Sequence, residues 1–356
     1  MIEDSTPSLD ASWVGGSVET PAGPVPIVKT TLSRTDRIGA IKVRWNIGRM
    51  SYAIAPGLYG IGNPTPDSPV LVTANYKLSF DSMRKELASL DAWILVLDTK
   101  GINVWCAAGK GTFGTAELIQ RIKQTGLLEV VSHRRLILPQ LGGPGVAAHK
   151  VKKESGFHVI YGPVLASDIK AFLENKRMAT PEMRKVRFPL AARLAVVPVE
   201  LTQWGAYTLT AMILFLLLAG IHRGGYEAEL VPARGMRAAF LIFSAFLAGG
   251  LLTPSLLPWI PGRALSIKGA LVGMAAVLLF WGLGVISIQT PGARLEGMAW
   301  LLLIPAISAF MAMNYTGATT YTSLSGVKRE MHFAIPSQIT AAVLGLGFWV
   351  ARLFVV

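Results

Sequence analysis

Residues 101 to 115 read GINVWCAAGKGTFGT. The stretch holds Cys106, the only cysteine among 356 residues, between Trp105 and a run of small residues. Before it, AWILVLDT (92 to 99) is a continuous apolar run of strand length; after it, TAELIQRIKQTG (115 to 126) has helical spacing and a glycine stop. The quoted residues therefore form a strand-to-helix loop. Outward from it the same alternation recurs. PVLVTA (69 to 74), LILP (136 to 139) and FHVIYG (157 to 162) read as strands. SFDSMRKELASL (79 to 90), GVAAHKVKKESG (145 to 156) and a segment from Ser167 to about Asn175 read as helices. INVW (102 to 105) is expected as a short edge strand or a continuation. Such alternation predicts a Rossmann-like α/β domain with a parallel sheet, whose ligands bind beyond the C-terminal strand ends.

Composition divides the chain. Hydrophobic residues make up 52% and charged residues only 15%, with a mean hydropathy of +0.47, too apolar for an ordinary soluble enzyme of this length. Five nearly uncharged stretches of spanning length follow about Leu201: Gln203 to Ile221, Ala238 to Trp259, Gly269 to Ile288, Gly297 to about Asn314, and Ile335 to Val355. An all-α transmembrane domain of about five helices is expected there. The formal charge of +13 is compatible with nucleic acid, anionic lipid or an acidic partner. Nucleic acid is the weakest of these, because no binding motif accompanies the charge, whereas Lys185, Arg187 and Arg193 precede the first span. Those residues favour a cytoplasmic N-terminal half of a multi-pass protein in the cytoplasmic membrane. The polar start MIEDSTPSLDASW lacks a signal-peptide apolar core.

The loop admits several chemistries. A lone cysteine is ordinarily an inert packing residue. A nucleophile needs a base, and none of His133, His149, His158, His222 or His332 stands at a recognisable catalytic spacing from Cys106. Gly109 to Thr112 reads GKGT, but a Walker A loop requires glycine where Val104 stands. Glycines at 109, 111 and 114 still allow close backbone approach to a large ligand, and Lys110 is either a solvated lysine or a partner for a phosphate or amide oxygen. A thiolate is also a soft metal donor. With one cysteine the chain builds no disulfide, four-cysteine zinc site or iron-sulfur cluster alone, so any metal would arrive within a cofactor.

NVWCAAGKGTFGT (103 to 115), with RLILPQLGGPGVAAHKVKKESGFHVIYGPV (135 to 164), resembles the corrinoid-binding domain shared by the large subunit of the corrinoid iron-sulfur protein and the mercury-methylating corrinoid protein (HgcA) family. The likeness covers roughly residues 65 to 175. A single cysteine and C-terminal spans look more like the mercury-methylating family, whose corrinoid domain precedes a membrane domain. The polar TGATTYTSLSGVKREM (316 to 331) is also similar to that family. The expected organisation is an N-terminal extension of uncertain structure (1 to 65), a corrinoid-binding α/β domain (66 to 175), a basic linker (176 to 200) and the transmembrane domain (201 to 356).

The resemblance implies a corrinoid of cobalamin type with Cys106 as lower axial ligand of cobalt. It maps Asn103, Val104, Trp105, Ala107, Ala108, Gly109, Lys110, Gly111 and Thr112 onto the loop and cap helix against the corrin ring. Thr73, Asn75, Leu138, Pro139, Gln140, Leu141, Gly142, Gly162 and Pro163 are further candidates for ring or nucleotide-tail contacts, or else ordinary loop and packing residues. The histidine-ligand signature D-x-H-x-x-G is absent. The implied reaction passes methyl from a methyltetrahydrofolate-linked donor, via methyl-Co(III), to Hg(II). The implied reductant is a separate ferredoxin-like iron-sulfur protein (HgcB-type). Two alternatives stand beside this reading: a membrane-tethered methyl carrier for another acceptor of one-carbon metabolism, and a transporter with a cofactor-sensing domain. The latter requires paired charges within spans that read as essentially charge-free.

Overall fold

The computed structural model describes residues 7–317 and 324–355. The chain divides into two compact units that change over at Arg187 and Phe188, with residues 44–46 grouped with the second.

In the first unit the elements run β1 (Val14–Thr20), β2 (Gly23–Val28), α1 (Arg34–Arg44), β3 (Gly57–Ile61), β4 (Val70–Ala74), α2 (Lys77–Arg84) and β5 (Ala92–Leu97). They continue with α3 (Val104–Lys110), α4 (Thr115–Gln124), α5 (Leu127–Val130), β6 (Arg135–Leu138), α6 (Ala148–Ser155), β7 (His158–Tyr161) and α7 (Ile169–Glu174). Seven strands form one sheet in the order β1-β2-β3-β5-β4-β6-β7. The sheet is mixed, which corrects the expectation of a purely parallel one: β5, β4, β6 and β7 are parallel, but β3 runs antiparallel to β5 and β1 antiparallel to β2. The N-terminal residues, too rich in Gly and Pro to read by pattern, supply β1 to β3.

Both faces of the central strands β3, β4, β5 and β6 are covered, so these strands are apolar on both sides. Val70, Val72, Trp93, Leu95 and Leu136 pack with Ala107, Leu118 and Ile122. Their neighbours Leu71, Ile94, Val96 and Ile137 pack on the other face with Phe80, Leu87 and Phe172. The period of two along each strand decides which residue faces which layer. Because β4 lies between β5 and β6, the chain leaves β4 and β5 in opposite directions across the sheet. In such sheets the switch marks the ligand-binding edge, beyond the C-terminal ends of the strands, here β4 and β6.

INVW does not form a strand. Asn103 has extended backbone and caps α3, which starts at Val104. The apolar residues that suggested a strand are instead divided by helical spacing, with Val104, Ala107 and Ala108 facing the core.

In the second unit α8 (Leu190–Leu194), α9 (Val197–Leu218), α10 (Met236–Leu247), α11 (Thr253–Leu256), α12 (Leu265–Gly282), α13 (Pro291–Met313) and α14 (Leu324–Arg352) follow one another. Among the described residues, five helical stretches are long and apolar enough to cross a membrane: Leu190–Leu218, Val231–Leu256, Leu265–Gly282, Pro291–Met313 and Gly326–Arg352. α13 is the central helix, burying Trp300, Leu303 and Ile304. Glycines let its neighbours approach. A Cβ on Gly269 would stand 2.5 Å from Ala312 Cβ, and one on Gly273 2.7 Å from Pro305 Cα, so the G-x-x-x-G spacing of α12 lies directly against α13. Ser308 Oγ donates to the Gly269 carbonyl at 2.7 Å. Carbonyls around the prolines at 254 and 258 are also satisfied: Arg193 Nη1 donates to Pro254 and Ser255, and Lys268 Nζ to Leu257 and Ile260.

The spans are not charge-free. Glu296 accepts from Arg237 at 2.6 Å and pairs with Arg352 at 3.2 Å, while Trp300 Nε1 donates to its other oxygen at 3.4 Å. The helices extend past the apolar runs, to Val231 and Pro291, and bring these pairs inside. Of the polar stretch 316 to 331, residues 318 to 323 lie outside the described residues.

Candidate functional site

The site begins with Asn75. Its side chain is buried at the end of β4, and its Oδ1 accepts from Thr99 N at 3.0 Å, Thr99 Oγ1 at 2.8 Å and Gly101 N at 3.0 Å. Its Nδ2 donates to Asp98 Oδ1 at 3.2 Å. The end of β4 therefore holds the loop leaving β5. Within that loop, Thr99 Oγ1 also reaches the Ile102 carbonyl at 2.6 Å, and Lys100 and Gly101 take left-handed backbone angles. Asp98 is locked from both sides, its N–H donating to Glu117 at 2.8 Å and its carboxylate receiving Lys100 N at 3.0 Å. Burial pushes the Asp98 carboxyl up, but hydrogen bonds from the Lys100 ammonium and backbone outweigh that and hold it below its ordinary value.

Three residues on, Asn103 Oδ1 accepts from Cys106 N at 2.9 Å, closing the first turn of α3. Ala107 and Ala108 face inward, which leaves Cys106 half-buried and Trp105 37% exposed on the outward side. The helix ends at Gly111, whose φ of +84° suits glycine, and a Cβ there would meet open space. The following loop is tied down beneath α3. Phe113 is fully buried, its N–H donates to the Ala107 carbonyl at 3.1 Å, and a Cβ on Gly145 would stand 2.0 Å from its carbonyl oxygen. α3 packs against the turn at residues 140–142, which follows β6, and against β4.

The sequence-predicted residues separate by exposure. Asn103, Trp105, Cys106, Gly109, Lys110, Gly111, Thr112, Pro139, Gln140 and Leu141 are exposed or half-buried around this edge. Thr73, Asn75, Val104, Ala107, Ala108, Leu138, Gly142, Gly162 and Pro163 are buried and support it from below. Gln140 is engaged by Arg184, whose Nη1 donates to its Oε1 at 3.0 Å. Sequence reasoning passed over Thr99, Glu117, Phe113 and Gly145. Only the glycine-rich GGPG at 142 to 145 signalled a close approach.

The residues present fit a corrinoid on two counts. Cys106 supplies one soft donor, which suits a metal that arrives within a macrocycle carrying most of its own ligands. Cys106 is also half-buried rather than enclosed in the core, and a Cβ on Gly111 at the end of its helix would meet nothing within 4 Å.

Comparison with known proteins finds relatives of the α/β unit. Residues 40–173 match the CdhD family, the CO dehydrogenase/acetyl-CoA synthase delta subunit. The chain is 34% identical over 139 residues to the acetyl-CoA decarbonylase/synthase complex subunit gamma of Archaeoglobus fulgidus, 38% of this chain and 29% of the relative. It is 34% identical over 114 residues to the corrinoid/iron-sulfur protein large subunit of Moorella thermoacetica, 32% of this chain and 25% of the relative. The similarity to CdhD-type and corrinoid/iron-sulfur domains thus lies in the α/β unit, and the chain spans under a third of the length of these relatives.

Proposed function

We propose that this protein is a membrane-embedded, corrinoid-dependent methyltransferase that passes methyl from a methyltetrahydrofolate-linked donor to Hg(II), with its α/β unit in the cytoplasm. The observation that carries the reading is Cys106, turned out of the core on a helix capped by Asn103 at the switch-point edge of the sheet. The similarity of residues 40–173 to corrinoid-protein relatives supports the cofactor class. When bound, a corrinoid supplies a cobalt centre able to take up and release methyl.

The chain's own residues do the rest. Cys106 Sγ would be the residue that holds the metal of a bound corrinoid, and Asn103 fixes the turn that carries it. Thr99 and Gly101, held by Asn75, set the height of that turn against the sheet. Trp105 offers an aromatic face to the ring, and Lys110 a cation to a peripheral amide or phosphate. A thiolate from Cys106 would donate more charge to a bound corrinoid's metal than an imidazole would, and an electron-rich metal would suit methyl transfer to an electrophile such as Hg(II). The choice of donor residue would thus be the protein's lever on the cofactor. A single cysteine builds no iron-sulfur cluster, and the resemblance implies a separate ferredoxin-like iron-sulfur protein as the source of reducing electrons.

Cys106→Ala at equal abundance should abolish methylmercury formation in cells, and Cys106→His should retain cobalamin yet lose transfer. Wild-type rates in the alanine variant would refute the axial role. One observation favours a second reading: the relatives described above are subunits of acetyl-CoA decarbonylase/synthase complexes or corrinoid/iron-sulfur proteins. A methyl carrier for another one-carbon acceptor would use the same loop. It predicts that purified protein loaded with labelled methyl leaves the label in place when Hg(II) is added.

A further inference from the structure

The second unit contains a cavity of about 910 Å³ lined by α12, α13 and α14. Its volume is in the range of small-molecule sites, roughly 300–1,000 Å³. The walls are mainly apolar, with Met274, Leu302, Ala306 and Phe333 among them, and the polar groups are not evenly spread. Arg263 precedes α12 and Arg329 lies in the early turns of α14, so both guanidiniums stand at the same end. Neither pairs with a carboxylate among the described residues. One carboxylate, Glu330, also lines the cavity, but its Oε1 is engaged by the backbone N–H of Ser266 at 2.6 Å. Two cations against one engaged anion leave that end positive. Further along α14, Gln338 lines the wall with a buried Nε2 that has no hydrogen-bond partner among the described residues. A buried amide donor calls for an acceptor from whatever fills the space.

From Arg329 to Ala341 the lining follows α14 for 12 residues, which at 1.5 Å per residue is roughly 18 Å, more than half of a ~30 Å hydrocarbon core. We propose that this cavity is a site for one anionic phospholipid, with its phosphate at Arg263 and Arg329, an ester oxygen on Gln338 Nε2 and an acyl chain along the apolar wall. Lipid tails alone gain little by leaving bulk lipid for such a wall, so selectivity comes from the charged end and the amide. The inference rests on the membrane embedding proposed above and is independent of the corrinoid chemistry.

The test uses the full chain purified in detergent, with bound lipid counted by native mass spectrometry after titration with phosphatidylglycerol or phosphatidylcholine. Sedimentation with the membrane fraction reports embedding separately. The wild type should retain one phosphatidylglycerol with about tenfold preference over phosphatidylcholine. R263Q/R329Q, altered only at exposed side chains, should bring the two lipids to parity, and Q338L should weaken retention of both. Excess glycerol phosphate should not displace the lipid. Equal retention of the two lipids by the wild type, an unchanged preference in R263Q/R329Q, or displacement by glycerol phosphate would each overturn the proposal.

Discussion

Asn75, at the end of β4, receives both the backbone N–H and the hydroxyl of Thr99, at the end of β5. This link makes the position of Cys106 a property of the sheet rather than of a loose loop. Two strands must stay in register for the Asn103 cap to present the thiol at a fixed height.

Asn75→Ala leaves the Thr99 and Gly101 donors without their acceptor and opens a small void. Loss of about 2 kcal/mol is expected. The full chain should melt earlier and bind cobalamin more weakly, while Asn75→Asp, which keeps an acceptor oxygen, should recover part of both in the same thermal and binding titrations.

Beneath the sheet, Arg84 is fully buried and donates to Asp81 at 2.7 Å, Asp36 at 2.9 Å and the Lys29 carbonyl at 2.5 Å. Burial raises the Asp36 carboxyl, but the Lys77 ammonium and the Ser33 groups overcome that and hold it well below the usual carboxylate range. Its folded pKa lies below its unfolded one, so its contribution is complete above about pH 4 and is lost as pH falls further. Wild-type thermal stability should therefore drop steeply below about pH 4. In Asp36→Asn stability at neutral pH should be about 3 kcal/mol lower, because Arg84 loses a buried partner, and the acid-dependent drop should be smaller.

How legible was this in the sequence? The strands β4 to β7 and helices α4, α6 and α7 follow from apolar runs and periodicity, and the five spans from length and lack of charge. What escaped depends on tertiary partners. β1 to β3 hold Gly and Pro at positions that only pairing explains, as in the Pro24–Pro26 segment against Val18 and Glu19. Val104 looked like strand because its helix is short and is started by a side-chain cap that periodicity does not register. At the site, Cys106 and its loop stood out by residue type, whereas Thr99 and Glu117 act through hydrogen bonds to residues distant in sequence. The Arg237–Glu296–Arg352 cluster was missed because each charge lies at the margin of an apolar run and only packing joins the three.

That cluster yields a third prediction. Glu296→Gln leaves two arginines on neighbouring helices without their shared anion, and in detergent the chain should unfold at lower temperature, by about 2 kcal/mol. Arg237→Gln should cost less, since Arg352 keeps its partner.

A fourth concerns α12. Gly269→Leu drives a side chain into Ala312 and the Ser308 carbonyl, so α12 and α13 must separate. The variant should lose its compact fold in detergent, whereas Gly282→Leu on the same helix, where a Cβ meets nothing within 4 Å, should be tolerated. Limited proteolysis of the two variants side by side reads the difference.

The most direct measurement is the visible absorption spectrum of the purified full chain reconstituted with cobalamin, wild type beside Cys106→Ala. Sulfur coordination predicts corrin bands in the wild type that shift away in the alanine variant, with bound cobalamin still detectable. Identical spectra from the two proteins, both carrying cobalamin, would contradict it.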